Sequence, residues 1–236
     1  KTTFNQVENA QKKSTIIYNG LDDRIFKKNR LNKKNIRNQI RTKHKIHKND
    51  LVFFIGGLIW ISKGYHHAIN ALSKFKKEPF VLFIAGDLEN ADKSYVCELR
   101  NLSKEKNVKT IFLGRLNHKL LYEYMLSSDV GLQLTDPKKY KEGISIILLE
   151  MMFLGLPVIC SNSGGNSEIV KDNYSGLIIK DNDIEVQLED AIDILKDKLV
   201  RKQIGINGLN TVKKDFSSEK MTREIMNYLH FISKNN

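Results

Sequence analysis

Cysteine is nearly absent from this chain of 236 residues: there are two, Cys97 and Cys160, with no CxxC spacing. A disulfide framework and a spaced zinc site are therefore excluded, and a reducing cytoplasm is the expected compartment. Only three prolines and 14 glycines are present, so collagen-like and low-complexity structure is excluded too. Long hydrophobic runs are missing. The apolar stretches LVFFI (51–55) and FVLFIAG (80–86) fall far short of the ~18 residues a membrane helix needs. The opening stretch KTTFNQVENAQKK is polar, has no secretory pattern and lacks a methionine, so a truncated chain is expected.

Acidic residues are missing from one place above all. Residues 24–48 hold 11 Lys and Arg and no Asp or Glu, which accounts for nearly all of the net charge of +12. Such a run could hold RNA phosphates or lipid headgroups, but more often it is a solvated face. Only Tyr18 and Phe26 lie near it, too few aromatics for a stacking platform. No nucleic-acid partner is expected.

Beyond residue 50, short apolar runs recur at 51–55, 80–86, 108–114, 129–134, 156–160 and 176–180. Between and after them, helical spacing appears at 64–77, 91–106, 117–128, 144–155, 166–172, 183–197, 199–214 and 217–233. Continuous apolar strands alternating with helices imply an α/β fold, a Rossmann-like, doubly wound, parallel six-stranded sheet. Ligands then belong beyond the carboxyl ends of the strands. Residues 51–236 read as one domain. Residues 1–50 read as a leading strand, STIIY (14–18), plus a basic connector.

The most informative stretch is Glu142-Gly143-Ile144-Ser145-Ile146-Ile147-Leu148-Leu149-Glu150. Eight helical residues rise ~12 Å, about the reach from a sugar across a diphosphate to a ribose. Amides of Gly143 to Ile146 would be open donors at a helix start. Glu150 could accept from ribose hydroxyls, and Glu142 would lie beside whatever the terminal phosphate carries. The plainer reading is an acid favoured by the helix dipole and an ordinary glutamate on the exposed side.

The order of landmarks makes the stretch more specific. Glu142/Glu150 is followed by Gly155-Leu156-Pro157-Val158, then Gly164-Gly165 with Glu168-Ile169-Val170, then Gly176-Leu177. Upstream stand Asn19-Gly20-Leu21-Asp22, Lys63-Gly64 and Phe112-Leu113-Gly114; downstream come Asn207-Gly208 and Asp215-Phe216-Ser217. This pattern resembles the C-terminal, donor-binding half of the family 4 retaining glycosyltransferases, enzymes of GT-B architecture, over nearly the whole chain.

The resemblance implies roles. Glu142 would meet the donor sugar near the transferring carbon, and amides of Gly143, Ile144, Ser145 and Ile146 would hold sugar and diphosphate. Glu150 would take the ribose, and the backbone at Arg115 and Leu116 would line the base. Gly56, Gly57 and Lys63 would form the phosphate loop, with Lys63 neutralising the leaving phosphate. Glu142 and Lys63 would be the catalytic pair. No cofactor and no metal are implied. The family's loop arginine is replaced by Gly57, and Ser145 stands where glycine is common.

In that family an acceptor domain precedes the Asn-Gly landmark. Only 18 residues precede Asn19 here. The N-terminal acceptor domain is therefore expected to lie outside this chain, leaving a domain that binds a nucleotide-diphosphate sugar, UDP-sugar favoured, without turning it over. Transfer of a hexosyl group to a glycan or lipid-linked acceptor in bacterial surface polysaccharide synthesis is the implied activity of the whole. The implied location is cytoplasmic, with peripheral association at the inner membrane as a variant. Met221, Ile225, Tyr228, Leu229 and Ile232 on the last helix are expected to be partly exposed or covered by a second copy of the chain. Rival readings are a related epimerase, a catalytically degenerate nucleotide-sugar module with a scaffold or regulatory role, and a basic adaptor acting through residues 24–48. His66-His67, His44 and His47 read as surface residues and Trp60 as packing.

Overall fold

Alternate residues of the first apolar run face opposite ways. Phe53 and Ile55 enter one core cluster, while Val52 and Phe54 enter the other. A strand buried on both faces has no use for a polar alternate, which explains the unbroken apolar sequence. The computed structural model of the chain describes residues 15–138, 143–180 and 183–235.

Six strands form one all-parallel sheet: β1 (Leu51–Gly56), β2 (Phe80–Ala85), β3 (Lys109–Gly114), β4 (Val130–Gln133), β5 (Val158–Ser161) and β6 (Leu177–Ile179). Their order is β3-β2-β1-β4-β5-β6. β1 registers Phe53 against Leu82 of β2 and against Val130 of β4. The chain reverses direction across the sheet between β1 and β4, and this switch point is where such folds open a ligand crevice.

The helices are α1 (Asp23–Leu31), α2 (Lys33–Lys43), α3 (Tyr65–Leu72), α4 (Lys93–Glu105) and α5 (His118–Ser127). They continue as α6 (Ile146–Phe153), the short α7 (Asn166–Ile169), α8 (Ile184–Lys196), α9 (Lys198–Asp215) and α10 (Ser218–Asn235). One face of the sheet is covered by α3, α4 and α8, through Ile69, Leu99 and Ile192 among others. The other is covered by α1, α2, α5, α6 and α9, through Phe26, Ile40, Met125, Phe153 and Val212. Asp92, Asn117 and Asp197 cap α4, α5 and α9 by accepting backbone N–H groups at the helix starts, which satisfies donors that have no partner within the helix.

Residues 15–48 differ from the sequence expectation. Residues 15–20 form no strand, and Ser14 lies outside the described residues. Leu21 alone makes a parallel bridge, to Ser217. The basic segment is not a connector either. It folds into α1 and α2, which bury Phe26 and Ile40 against the sheet face. Its charge is partly structural: Arg37 and Arg41 each donate to the Asp129 carboxylate at 2.6 Å.

Along α10, Ile225, Met226, Leu229, Phe231 and Ile232 are exposed. Among the described residues no helix is long and apolar enough to cross a membrane.

Candidate active site

The switch point holds a cleft of about 310 Å³, bounded by Gly56, Gly57, Leu58 and Lys63 on one side and residues 144–147 on the other, with Gln133 to Thr135 as floor. Three separate chain segments therefore converge at the carboxyl ends of β1 and β4.

The β1–α3 loop is shaped by two glycines. Gly57 has φ +124° and donates its amide to the Ala85 carbonyl at 3.0 Å. Gly64 has φ +71°, and a β-carbon there would stand 2.2 Å from the Leu134 carbonyl oxygen. Both conformations are open to glycine and strained for other residues. Between them a single 3₁₀ turn spans Ile61–Lys63. The Asp136 amide donates to the Ser62 carbonyl at 2.8 Å. With Ser62 and Gly64 both held against the end of β4, the backbone of Lys63 is fixed at the cleft.

Opposite the loop, α6 begins at Ile146 with Ser145 as its N-cap, and the Ser145 side chain makes no capping bond. The first amides of a helix lack internal acceptors, and the macrodipole leaves partial positive charge there. Residues 144–147 line the cleft and Ile146 is exposed. That end of the helix can receive an anion. The Gly164-Gly165 motif explains how this segment is held: the Gly165 amide donates to the Gly143 carbonyl at 3.2 Å, and a β-carbon on Gly165 would crowd that oxygen at 3.1 Å.

Glu150 lies one turn further along α6 and is only 7% exposed. The plainer expectation of an ordinary exposed glutamate therefore fails. Its Oε1 accepts from the Tyr122 hydroxyl at 2.9 Å. Burial raises its pKa, while the Tyr122 bond and nearby His118 pull the other way. A carboxylate held like this accepts hydrogen bonds from a ligand hydroxyl at less desolvation cost than one newly withdrawn from water.

Other expected residues are placed differently. Glu142 lies outside the described residues. Arg115 follows β3 with its side chain 83% exposed, 3.9 Å from Asp87. Leu116 packs against the core cluster. Neither of them, nor Glu150, is among the residues lining the 310 Å³ cleft. His66 and His67 take separate partners, Tyr95 at 2.8 Å and Glu185 at 3.0 Å, but the two rings do not diverge: their centroids lie 4.0 Å apart. Their partners half-bury both rings, against the surface placement expected. His44 also turns inward, meeting the Tyr124 hydroxyl at 2.8 Å. Trp60 is exposed on the β1–α3 loop, so it does not serve as packing. Among the described residues no group of three His, Cys, Asp or Glu is arranged to hold a metal.

A buried polar network lies beneath the cleft. Asn166 donates to Gln133 Oε1 at 2.6 Å and to the Ser161 carbonyl at 3.0 Å; Gln133 donates to Thr135 Oγ1 at 2.9 Å. It pins the ends of β4 and β5 to α7. The signal available was Gln133 itself, a polar residue inside an otherwise apolar strand run.

Residues 36–211 match the family described as Glycosyl transferases group 1. Spore coat protein SA of Bacillus subtilis is 24% identical over 233 residues, 96% of this chain and 61% of its own length. The UDP-Gal:alpha-D-GlcNAc-diphosphoundecaprenol alpha-1,3-galactosyltransferase of Escherichia coli is 29% identical, covering 86% of this chain and 52% of its own. Among solved structures, Anabaena HepE in complex with UDP-glucose superposes with a TM-score of 0.78 at 19% identity, covering 92% of this chain and 57% of that one. The chain thus spans about half the length of the curated relatives it matches.

Proposed function

The chain belongs to the Glycosyl transferases group 1 family, and from that premise we propose that it is the nucleotide-sugar-binding half of a retaining family 4 hexosyltransferase whose donor is a UDP-sugar. The observation that supports this best is the convergence at one cleft of Gly56, Gly57, Lys63 and the open start of α6.

In this reading the diphosphate sits across the amides of residues 144–147, where the helix end favours negative charge. Lys63 meets the phosphate that becomes the leaving group and stabilises charge that grows as the glycosidic bond to it breaks. Glu150 accepts from the ribose hydroxyls. Glu142 meets the sugar hydroxyls, and the base lies toward Arg115 and Leu116. The acceptor, a glycan or lipid-linked sugar of a bacterial surface polysaccharide, is bound by residues beyond this chain, so the chain alone binds donor without turnover. The E. coli relative, named for transfer from UDP-Gal to a lipid-diphosphate-linked sugar, and HepE with its UDP-glucose support the donor and acceptor classes. The reaction takes place in the cytoplasm and needs no cofactor.

A second reading has one observation in its favour. Gly57 replaces the loop arginine in a backbone conformation that an arginine would adopt only under strain. That favours a module that binds nucleotide sugar but has lost transfer.

A thermal-shift panel of UDP-, GDP- and ADP-sugars tests donor binding. Ligand at a hundredfold excess over Kd adds about 2.7 kcal/mol, or a rise of roughly 5–10 °C for a chain of this size. The largest rise should come from UDP-sugars. No rise with any of the three overturns the proposal, and binding without transfer by the full-length enzyme would favour the degenerate module.

A further inference from the structure

At the amino ends of the strands, away from the donor cleft, a larger cleft of about 720 Å³ opens beside the residues preceding β4 and β5. Six cations line it: Arg30, Lys33, Arg37, Lys198, Arg201 and Lys202. The lining acid is Asp129, already engaged by Arg37 and Arg41.

The cations divide by role. Arg30 donates to the Phe153 carbonyl, Arg37 to those of Ser127 and Ser128 at 3.0 and 3.1 Å, and Arg201 to those of Leu195 and Lys196. Each arginine closes a helix carboxyl end, those of α6, α5 and α8, and so belongs to the scaffold. The lysines have no such task. Lys198 and Lys202 are exposed one turn apart on α9. Lys33 makes no hydrogen bond or ion pair among the described residues. Burial and the neighbouring Arg37 hold the Lys33 ammonium below the usual lysine range, with Asp129 pulling the other way.

A second observation stands apart from charge. The two most exposed large hydrophobic side chains among the described residues are Leu31 at 79% and Leu199 at 77%. Leu199 itself lines this cleft, and Leu31 directly follows its lining residue Arg30. Paired leucines beside lysines suit a boundary between headgroups and acyl chains. A soluble phosphate would leave those leucines without a role. No aromatic residue lines the cleft to stack on a nucleic-acid base.

We propose that this face of the domain docks on an anionic phospholipid surface, with Lys33, Lys198 and Lys202 on headgroup phosphates and Leu31 and Leu199 inserted between them. The proposal is independent of the donor site, so either can fail alone.

Co-sedimentation with vesicles tests it. Phosphatidylcholine vesicles containing phosphatidylglycerol should bind the 236-residue chain, and pure phosphatidylcholine should not. Lys198→Glu with Lys202→Glu should weaken binding at least about tenfold while the melting temperature holds. Leu199→Ser should weaken it several-fold without altering its salt dependence. Equal binding to both vesicle types, or full binding by a folded charge-reversed protein, would overturn the proposal. So would competition by free pyrophosphate combined with indifference to Leu199→Ser, which indicates a soluble anion site. Should the double variant fail to fold, salt decides: wild-type binding should fall as ionic strength rises, and binding indifferent to salt contradicts the proposal.

Discussion

The Tyr122 hydroxyl donates to Glu150 Oε1 at 2.9 Å, joining α5 to α6. Burial raises the pKa of both groups. Because the folded Glu150 binds its proton more tightly than the unfolded chain does, its contribution to stability is fully present below the ordinary carboxylate pKa. It is lost as pH rises through the raised folded value. Glu150→Gln should flatten the decline of stability with rising pH above ~4.3, measured by urea unfolding at a series of pH values. The same variant should weaken UDP-sugar binding. An unchanged pH slope would contradict the assigned environment.

Lys63 is held at the cleft by the contacts of Ser62 and Gly64 with the end of β4. Lys63→Ala should cost about 1.5–3 kcal/mol of UDP affinity, the worth of a charge-assisted hydrogen bond, and much less of uridine affinity. Isothermal titration with both ligands checks this. Equal losses for the two would mean that Lys63 does not meet the diphosphate.

Restoring the family's arginine should not restore a phosphate clamp. At φ +124°, Gly57→Arg should cost roughly 1–3 kcal/mol in strain, seen as a lowered melting temperature with no gain in UDP affinity. Gly64→Ala should cost about as much again, because the Leu134 carbonyl leaves no room for a β-carbon. A stable Gly57→Arg protein with tighter binding would show that the loop adopts another conformation.

The basic segment is predicted to stabilise the fold. Asp129 takes Arg37 and Arg41 at 2.6 Å each and the Val52 amide at 2.9 Å, with Arg41 and Asp129 both largely buried. Asp129→Ala strands those donors and should destabilise by about 3–5 kcal/mol in denaturant unfolding. A loss below about 1 kcal/mol would mean the cluster behaves like an exposed pair.

The sheet and the helices after residue 50 could be read from the sequence because each element is long enough to show its period, and β1 carries an uninterrupted apolar run. The start of α6 was legible for a similar reason, through Gly143, Ser145 and the apolar turn after them. The helices α1 and α2 were not. Phe26, Ile36 and Ile40 mark their buried side, but eleven cations in 25 residues mask that side, and the acid that receives two of them, Asp129, lies about ninety residues away. The burial of Glu150 was also hidden, since it depends on Tyr122 of another helix. Gln133 and Asn166 sit 33 residues apart and meet only because β4 and β5 are neighbours.

Backbone amide chemical shifts of the chain, titrated with UDP and separately with uridine, test the donor cleft most directly. UDP should move the amides of Gly57, Lys63, Ile146 and Ile147, and uridine alone should leave Ile146 and Ile147 in place. Shifts confined to the far side of the sheet, or a helix start that does not respond to the diphosphate, would contradict the site.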